Sequence, residues 1–230
     1  MNKNSSIYQE LYRDFKWEIP KHYNIGYDVS EKWVIKTPDN PAIIEVFPDG
    51  NLKETSYLEF DTLVNRGANC LSKTGVKKGD RIGILLPQSL ECAISHIIAF
   101  KLGAISVPLF LLFGPDALSY RILNADIQIL ITDNAGASKL REMTDSAQRN
   151  LKIYTVDGED PKLRTNDLCF SDLKEPTSFK CVNTLADDPA TITYTSGTTG
   201  SPKGALHAHR VLLGHLPGLE MFLNLFSKYK

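Results

Sequence analysis

The chain has 230 residues, with 26 Lys and Arg against 27 Asp and Glu, a formal net charge of −1, and 42% hydrophobic residues. This balance is typical of an ordinary globular protein with a sizeable core. A charge near zero excludes a polybasic nucleic-acid binder and an acidic disordered tail, so no nucleic-acid partner is expected.

Cysteine use and hydropathy indicate the compartment. The four cysteines form no C-x-x-C pair and have no histidine at a metal-ligand interval, so neither a zinc site nor a disulfide framework is predicted. The most apolar region, residues 94–113, is interrupted by His96, Lys101 and Pro108, which is not expected of a membrane span. The N-terminus lacks the apolar stretch of a signal peptide. A cytoplasmic protein without a transmembrane segment is therefore expected.

Short elements are predicted at the start of the chain. A capping box formed by Ser6 and Gln9 predicts a first helix, and a second short helix is expected at residues 27–36, before Pro38. Turn-forming residues 48–51 separate two strand-like runs and predict a hairpin.

The strongest helix signal follows. Ser56 and Glu59 form a capping box, and Gly75 occupies a position typical of a helix C-terminus. Between them, small and apolar residues recur on one helical face. These residues are Phe60, Leu63, Val64, Gly67, Ala68 and Leu71.

From residue 81 onward, short apolar runs alternate with helical patterns. Strands are predicted at 81–86, 104–108, 127–132, 151–156 and 190–195, and helices at 90–102, 115–124 and 135–148. Uninterrupted apolar runs are typical of parallel strands covered on both faces. An α/β fold is therefore predicted, with a mostly parallel sheet flanked by helices. The polar stretch 157–188 is expected to form loops around a short helix near Ser171.

One segment has the composition of a phosphate-binding loop. Residues 194–204 read Tyr-Thr-Ser-Gly-Thr-Thr-Gly-Ser-Pro-Lys-Gly. Glycines let the backbone approach a ligand, hydroxyls donate to non-bridging oxygens, and the Lys203 ammonium suits the outer phosphates. The candidate phosphate-binding residues are Thr195, Ser196, Gly197, Thr198, Thr199, Gly200 and Lys203.

Two other interpretations account less well for this segment. A Walker A loop would need glycine at position 202, where this chain has Pro202, so a P-loop kinase or GTPase is not predicted. A flexible linker has a similar composition, but the apolar strand before the segment and the apolar run 211–216 after it favour a loop between two core elements.

Three histidines follow the segment: His207, His209 and His215. Their spacing does not place them on one helical face, and no cysteine or carboxylate joins them nearby. Structural histidines beside the loop are therefore expected, and no metal site is predicted.

Residues 195–204 resemble the AMP-binding signature of the adenylate-forming superfamily, which includes acyl-CoA synthetases, luciferases and the adenylation domains of peptide synthetases. Residues 57–60, 65–69 and 75–83 resemble the family's opening helix and first core strand, and residues 86–89 and 99–108 resemble the helix and strand that follow. The N-terminal helices, the hairpin at 47–50 and residues 207–210 are similar to acetyl- or medium-chain acyl-CoA synthetase-like enzymes.

The resemblance implies a ligase of fatty acid metabolism. A carboxylate attacks the α-phosphate of Mg-ATP to give acyl-AMP and pyrophosphate, and the CoA thiol then displaces AMP. In that scheme Thr195, Ser196, Thr198 and Thr199 hold the β- and γ-phosphates. Lys203 is the implied catalytic residue, because its charge stabilises the departing pyrophosphate.

The family's aromatic-Gly-x-Thr-Glu motif, which supplies the adenine pocket and a Mg²⁺-binding glutamate, does not occur after Gly204. Residues 1–230 are therefore expected to be a partial AMP-binding N-terminal domain without the small C-terminal domain. Such a chain is expected to be weak or inactive alone and to self-associate through an exposed sheet edge. The alternatives are a non-catalytic nucleotide-binding or interaction remnant of the same fold, and a different phosphate-binding α/β protein.

Overall fold

The structure is a computed structural model that describes residues 9, 12–143, 151–158, 165–168, 170, 172–195 and 201–222. Residues 12–14 are helical, whereas the predicted capping residue Ser6 lies outside the described residues. A π-helical segment, Tyr27–Glu31, runs into helix α1, Lys32–Lys36. The predicted hairpin is confirmed, with β1 at Pro41–Val46 paired antiparallel to β2 at Leu52–Ser56.

A seven-stranded sheet forms the centre of the molecule. Its strands are β3 (Arg81–Leu85), β4 (Ile105–Pro108), β5 (Ile129–Thr132), β6 (Lys152–Thr155), β7 (Asn166–Asp167), β8 (Pro189–Thr195) and β9 (Lys203–Ala208). Their spatial order is β7-β6-β5-β3-β4-β8-β9, and every neighbouring pair is parallel except β8 and β9. The predicted α/β class with a mostly parallel sheet is confirmed.

Helices cover the sheet. They are α2 (Tyr57–Lys73), α3 (Leu90–Lys101), α4 (Pro115–Asn124) and α5 (Asn134–Leu140), and a last helix, α6 (Val211–Phe222), follows β9. The capping box that begins α2 is confirmed, because Ser56 Oγ accepts a hydrogen bond from the Glu59 amide at 3.2 Å. None of the helices in the described part of the chain is long and apolar enough to span a bilayer.

The central strands are buried on both faces, because alternate residues of a strand point to opposite sides of the sheet. Ile82 and Ile84 of β3 pack in a core with α2 and α3. Leu85, one residue further on, packs in a second core with α4 and α5. Apolar side chains are needed on both sides, which explains the uninterrupted apolar runs in the sequence.

The sequence does not predict two of the strands. β7 is a two-residue strand within the stretch 157–188, where only loops and one helix are expected. β9 reads Lys-Gly-Ala-Leu-His-Ala, which has little intrinsic strand propensity. Its pairing with β8 compensates for that weakness.

Two predicted helices extend beyond what the structure describes. The helix predicted at 135–148 is observed as α5 and ends at Leu140, and residues 144–150 lie outside the described residues. Ser171, the centre of the predicted short helix, is also outside them, and its neighbours Phe170 and Asp172 lie in a turn.

Helix α3 ends in a buried lysine. Lys101 is fully shielded from solvent and donates to Asp61 Oδ1 at 2.6 Å and to Asn65 Oδ1 at 2.8 Å, both on α2. Its Nζ atom also lies 3.7 Å from Glu31 Oε2 in the π-helical segment. Because an unpaired buried charge costs several kcal/mol, these contacts fix three helical elements relative to one another.

Candidate functional site

The glycine-rich segment connects the antiparallel strands β8 and β9. Thr195, the last residue of β8, pairs directly with Lys203, the first residue of β9. β8 runs parallel to β4, so its end lies at the carboxyl edge of the parallel strands, where open α/β sheets bind their ligands. Five of the candidate residues, Ser196, Gly197, Thr198, Thr199 and Gly200, lie outside the described residues.

The two described candidate residues, Thr195 and Lys203, share one side of the sheet. Both are exposed, and directly opposed residues of an antiparallel pair have Cβ atoms about 4.5–5.5 Å apart. The hairpin therefore presents one hydroxyl and one ammonium group together at its end. This arrangement suits an anionic ligand, since both groups donate hydrogen bonds.

Three threonines of β8, the last of which is Thr195, lie on one face of the strand. Residues 191, 193 and 195 lie on one face, because they alternate with Ile192 and Tyr194, which pack against the second core. Thr191 Oγ1 donates to the carbonyl oxygen of Ser106 on β4 at 2.9 Å, so its hydroxyl serves to join two strands. Thr193, by contrast, is exposed and lies two residues before Thr195 on the same face of the strand. The Thr193 hydroxyl is an additional hydrogen-bond donor at this position, although Thr193 is not among the residues predicted from the sequence.

Helix α4 contacts both stems of the hairpin, that is, the end of β8 at Tyr194 and the residue just before β9, Pro202. The Tyr120 hydroxyl donates to the carbonyl oxygen of Pro202 at 2.9 Å. The Tyr194 hydroxyl donates to Asn124 Oδ1 at 2.6 Å, and the Tyr120 and Tyr194 rings meet edge to face with centroids 6.5 Å apart. Burial raises the pKa of Tyr194, so its phenol remains a donor at neutral pH. Tyr120 and Asn124 cannot be recognised from the sequence, because nothing in α4 itself points to a strand some 70 residues away.

Arg121 also lies in the contact between helix α4 and strand β8. Its guanidinium lies 3.8 Å from the ring centroid of Phe113 and 5.4 Å from that of Tyr194. One of its nitrogens donates to the Ala117 carbonyl at 2.8 Å. A guanidinium within reach of both rings attracts each of them, so it adds to the contact between α4 and the end of β8.

Gly204 is required by close packing. A Cβ atom at this position would lie 2.8 Å from Ile192 Cγ2 on β8. The glycine thus lets β9 approach β8 next to Lys203, which is a different use from binding a ligand through the backbone.

The histidines divide into different environments. His209 is fully buried, and its Nδ1 atom accepts from the Ile25 amide at 3.2 Å. Burial lowers the pKa of His209 to about 4, so the ring is neutral at pH 7. His209 is therefore a structural histidine, as predicted, whereas His215 is exposed. Within the described residues, no group of three or more His, Cys, Asp or Glu side chains is placed to hold a metal ion.

A separate cavity of about 560 Å³ lies beside the N-terminal segment. Its wall includes Tyr23, Asp28, Lys32 and Cys181. Asp28 accepts hydrogen bonds from the Tyr23 hydroxyl at 2.7 Å and from Lys32 Nζ at 2.5 Å, so these polar groups satisfy one another. Burial raises the pKa of the Cys181 thiol to about 12, which makes it a poor nucleophile. The cavity shares no lining residue with the hairpin.

Comparison with known proteins identifies the family. The family described as "AMP-binding enzyme" matches residues 30–223, and the chain belongs to this family. It is 34% identical over 220 residues to the acetyl-coenzyme A synthetase of Desulfatibacillum aliphaticivorans, an alignment that covers 89% of this chain and 34% of the relative. The chain thus spans about a third of the length of that relative. The predicted resemblance to acyl-CoA synthetases is confirmed.

Solved structures agree with this assignment. An acyl-CoA synthetase from Brucella canis matches with a TM-score of 0.81 and 23% identity, over 93% of this chain and 40% of that one. At this identity, the match supports the fold alone. The anthranilate CoA ligase AuaEII in complex with anthranoyl-AMP matches with a TM-score of 0.69 and 27% identity, over 84% of this chain and 36% of the other.

Proposed function

We propose that residues 1–230 supply part of the AMP-binding domain of an AMP-forming acyl-CoA synthetase and that the β8–β9 hairpin contacts the phosphates of ATP. The observation that carries the proposal is the pairing of Thr195 with Lys203 at the carboxyl edge of the sheet. A hydroxyl and an ammonium group held side by side match the donors that a triphosphate needs.

The family membership supports a reaction class. The relatives named above are an acetyl-coenzyme A synthetase and a CoA ligase that is bound to an acyl adenylate. The proposed substrates are therefore ATP, a small carboxylic acid and CoA. In the first step a carboxylate oxygen bonds to the α-phosphorus and the bond to pyrophosphate breaks; in the second the CoA sulfur bonds to the acyl carbon and AMP leaves.

In this scheme the role of Lys203 is electrostatic. Negative charge grows on pyrophosphate as it leaves, and an ammonium group beside the outer phosphates stabilises that charge. Thr195, and by its position Thr193, would donate to the non-bridging oxygens. The described residues offer hydroxyl and ammonium donors here and no carboxylate cluster. Mg²⁺, which neutralises phosphate charge, would therefore come with ATP and is not assigned a ligand among these residues.

The alternative is a non-catalytic nucleotide-binding or interaction remnant of the fold. The described residues supply contacts suited to phosphates, and we assign none to adenine or ribose. We therefore expect weak nucleotide binding and little catalysis from this chain alone. We place the protein in the cytoplasm, which the free thiols of Cys70, Cys92 and Cys181 support, since reduced cysteines are usual there.

The proposal is tested by titrating the 230-residue chain with MgATP and with magnesium pyrophosphate, using calorimetry. Lys203→Met should weaken both affinities by roughly 10- to 150-fold, because a charge-assisted contact contributes roughly 1.5–3 kcal/mol. Lys152→Met is the matched control, since Lys152 is exposed at the start of β6, which four strands separate from β9 in the sheet. Equal affinities of Lys203→Met and wild type, or no saturable binding by wild type, would contradict the proposal.

Catalysis needs its own measurement. Carboxylate-dependent exchange of labelled pyrophosphate into ATP, run with acetate, butyrate and octanoate, reports the first half-reaction. Exchange that depends on the acid supports the synthetase. Because little exchange is expected from this chain alone, the measurement is repeated on any longer product of the same locus, and ATP binding by that product without exchange supports the non-catalytic alternative.

A further inference from the structure

We infer that Tyr120 is a positioning residue for Lys203, through its hydrogen bond to the carbonyl oxygen of Pro202. The inference rests on the proposed role of Lys203. Pro202 directly precedes Lys203, so the bonded carbonyl belongs to the peptide unit that carries the Lys203 amide. The 2.9 Å bond thus joins helix α4 to the backbone of the lysine across 82 residues of sequence.

The Pro202 carbonyl lies at a sensitive point of the hairpin. The β8–β9 pairing begins at Thr195 and Lys203, and Pro202 lies just before it. Proline has no amide N–H, so this residue cannot add a donor to the ladder. Its carbonyl oxygen remains an acceptor, and the Tyr120 hydroxyl donates to it, which ties the start of β9 to helix α4.

Tyr120 forms one half of a paired contact. Thr195 is preceded by Tyr194, whose hydroxyl is bonded to Asn124, and Lys203 is preceded by Pro202, whose carbonyl is bonded to Tyr120. Tyr120 and Asn124 lie four residues apart, so they occupy one face of α4. A single helical turn thus holds the immediate neighbours of both described site residues.

This arrangement bears on ligand binding. A lysine on a free loop would lose conformational freedom when it meets a phosphate, and this loss weakens binding. Lys203 instead starts from a backbone fixed on one side by β8 and on the other by Tyr120. The hydroxyl of Tyr120 is therefore expected to improve phosphate affinity without contacting the ligand.

The test uses Tyr120→Phe, which keeps the ring against Tyr194 and removes only the hydroxyl. Amide hydrogen exchange in peptides that contain residues 203–205 should become about 3- to 10-fold faster, as expected for the loss of one hydrogen bond. MgATP affinity should fall by a similar factor. Tyr23→Phe is the matched control, because it removes a phenolic hydrogen bond of 2.7 Å outside the hairpin. Tyr23→Phe should change neither the amide exchange at residues 203–205 nor the MgATP affinity.

A double-mutant cycle separates positioning from a general structural role. If Tyr120 acts through Lys203, Tyr120→Phe should not weaken MgATP binding further in a Lys203→Met background. Equal losses in both backgrounds, or unchanged exchange at 203–205, would overturn the inference. Failure of the wild-type chain to bind MgATP would instead refute the proposed function, and the exchange measurement would still test the contact itself.

Discussion

The Nζ atom of Lys101 lies 2.6 Å from Oδ1 of Asp61, in a pair that joins helix α3 to helix α2 away from solvent. The lysine is fully buried, and the aspartate side chain is 10% exposed. A buried ion pair need not stabilise a fold relative to apolar residues, but removing one partner exposes the cost of burying the other. Without Asp61, the Lys101 ammonium keeps the Asn65 amide oxygen and the Glu31 carboxylate 3.7 Å away, which compensate its charge less well.

Asp61→Ala is therefore expected to lower the free energy of unfolding by about 3–5 kcal/mol. Urea denaturation measures this change. Glu175→Ala is a suitable control, because it breaks the ion pair with Lys73, whose side chain is 66% exposed, and exposed pairs contribute at most about 1 kcal/mol. Similar losses in the two variants would show that Lys101 is not held as the structure indicates.

Helix α2 packs closely on α3 at Gly67. A Cβ atom there would lie 2.3 Å from Ile98 Cδ1 and 3.0 Å from Phe170 Cε1. Gly67→Ala should destabilise the protein by about 1–3 kcal/mol, because the core must shift to accept the methyl group. Gly214→Ala in α6 is the same change at a position where no atom of the described residues lies within 4 Å of the added Cβ, and it should be neutral or stabilise by up to about 1 kcal/mol. A change of the same sign in the free energy of unfolding of both variants would contradict close packing at Gly67.

Stability should fall as the pH is lowered from about 6.5 to about 4. Burial lowers the pKa of both His209 and His96 to about 4 from an ordinary value of 6.5. Between these values the unfolded chain binds protons that the folded chain does not, so acid favours unfolding. Each histidine should contribute on the order of 1–3 kcal/mol, and no further loss from these rings is expected below pH 4.

Urea unfolding at pH 7.5 and pH 5 checks this dependence. His209→Gln should reduce the difference between the two pH values, even if it lowers stability at both. His215→Gln, which changes an exposed ring, should leave the difference intact. A His209→Gln variant with the full pH dependence would be inconsistent with a neutral, buried ring.

In the part of the chain that the structure describes, strand β9 is at the edge of the sheet and has a paired neighbour on one side only. It has no charged residue after Lys203, and Leu206 is 58% exposed. Such an edge favours pairing with a second copy. Sedimentation at roughly 10–100 μM should detect self-association of the 230-residue chain, and Leu206→Lys should reduce it. Leu219→Lys, at a similarly exposed leucine of α6, should not. A monomeric wild type would refute this expectation.

Much of the fold can be predicted from local patterns. The apolar runs at Ile82 to Leu85 and at Ile129 to Ile131 indicate strands buried on both sides, and the two cores that receive them are observed. Ser56 indicates where α2 begins, because capping acts within a single turn. The neighbour order of the strands cannot be predicted in this way, since hydrogen bonding between strands joins residues that are distant in sequence.

For the candidate site too, local sequence and long-range contacts determine different things. The sequence by itself determined which groups are available: glycines, hydroxyls and the ammonium of Lys203, set within a signature long enough to indicate the family. Only the tertiary structure decided that Lys203 begins a strand opposite Thr195 and that α4 holds both stems through Tyr120 and Asn124. Donor chemistry is a property of each residue, whereas its position depends on contacts that form only when distant segments pack together.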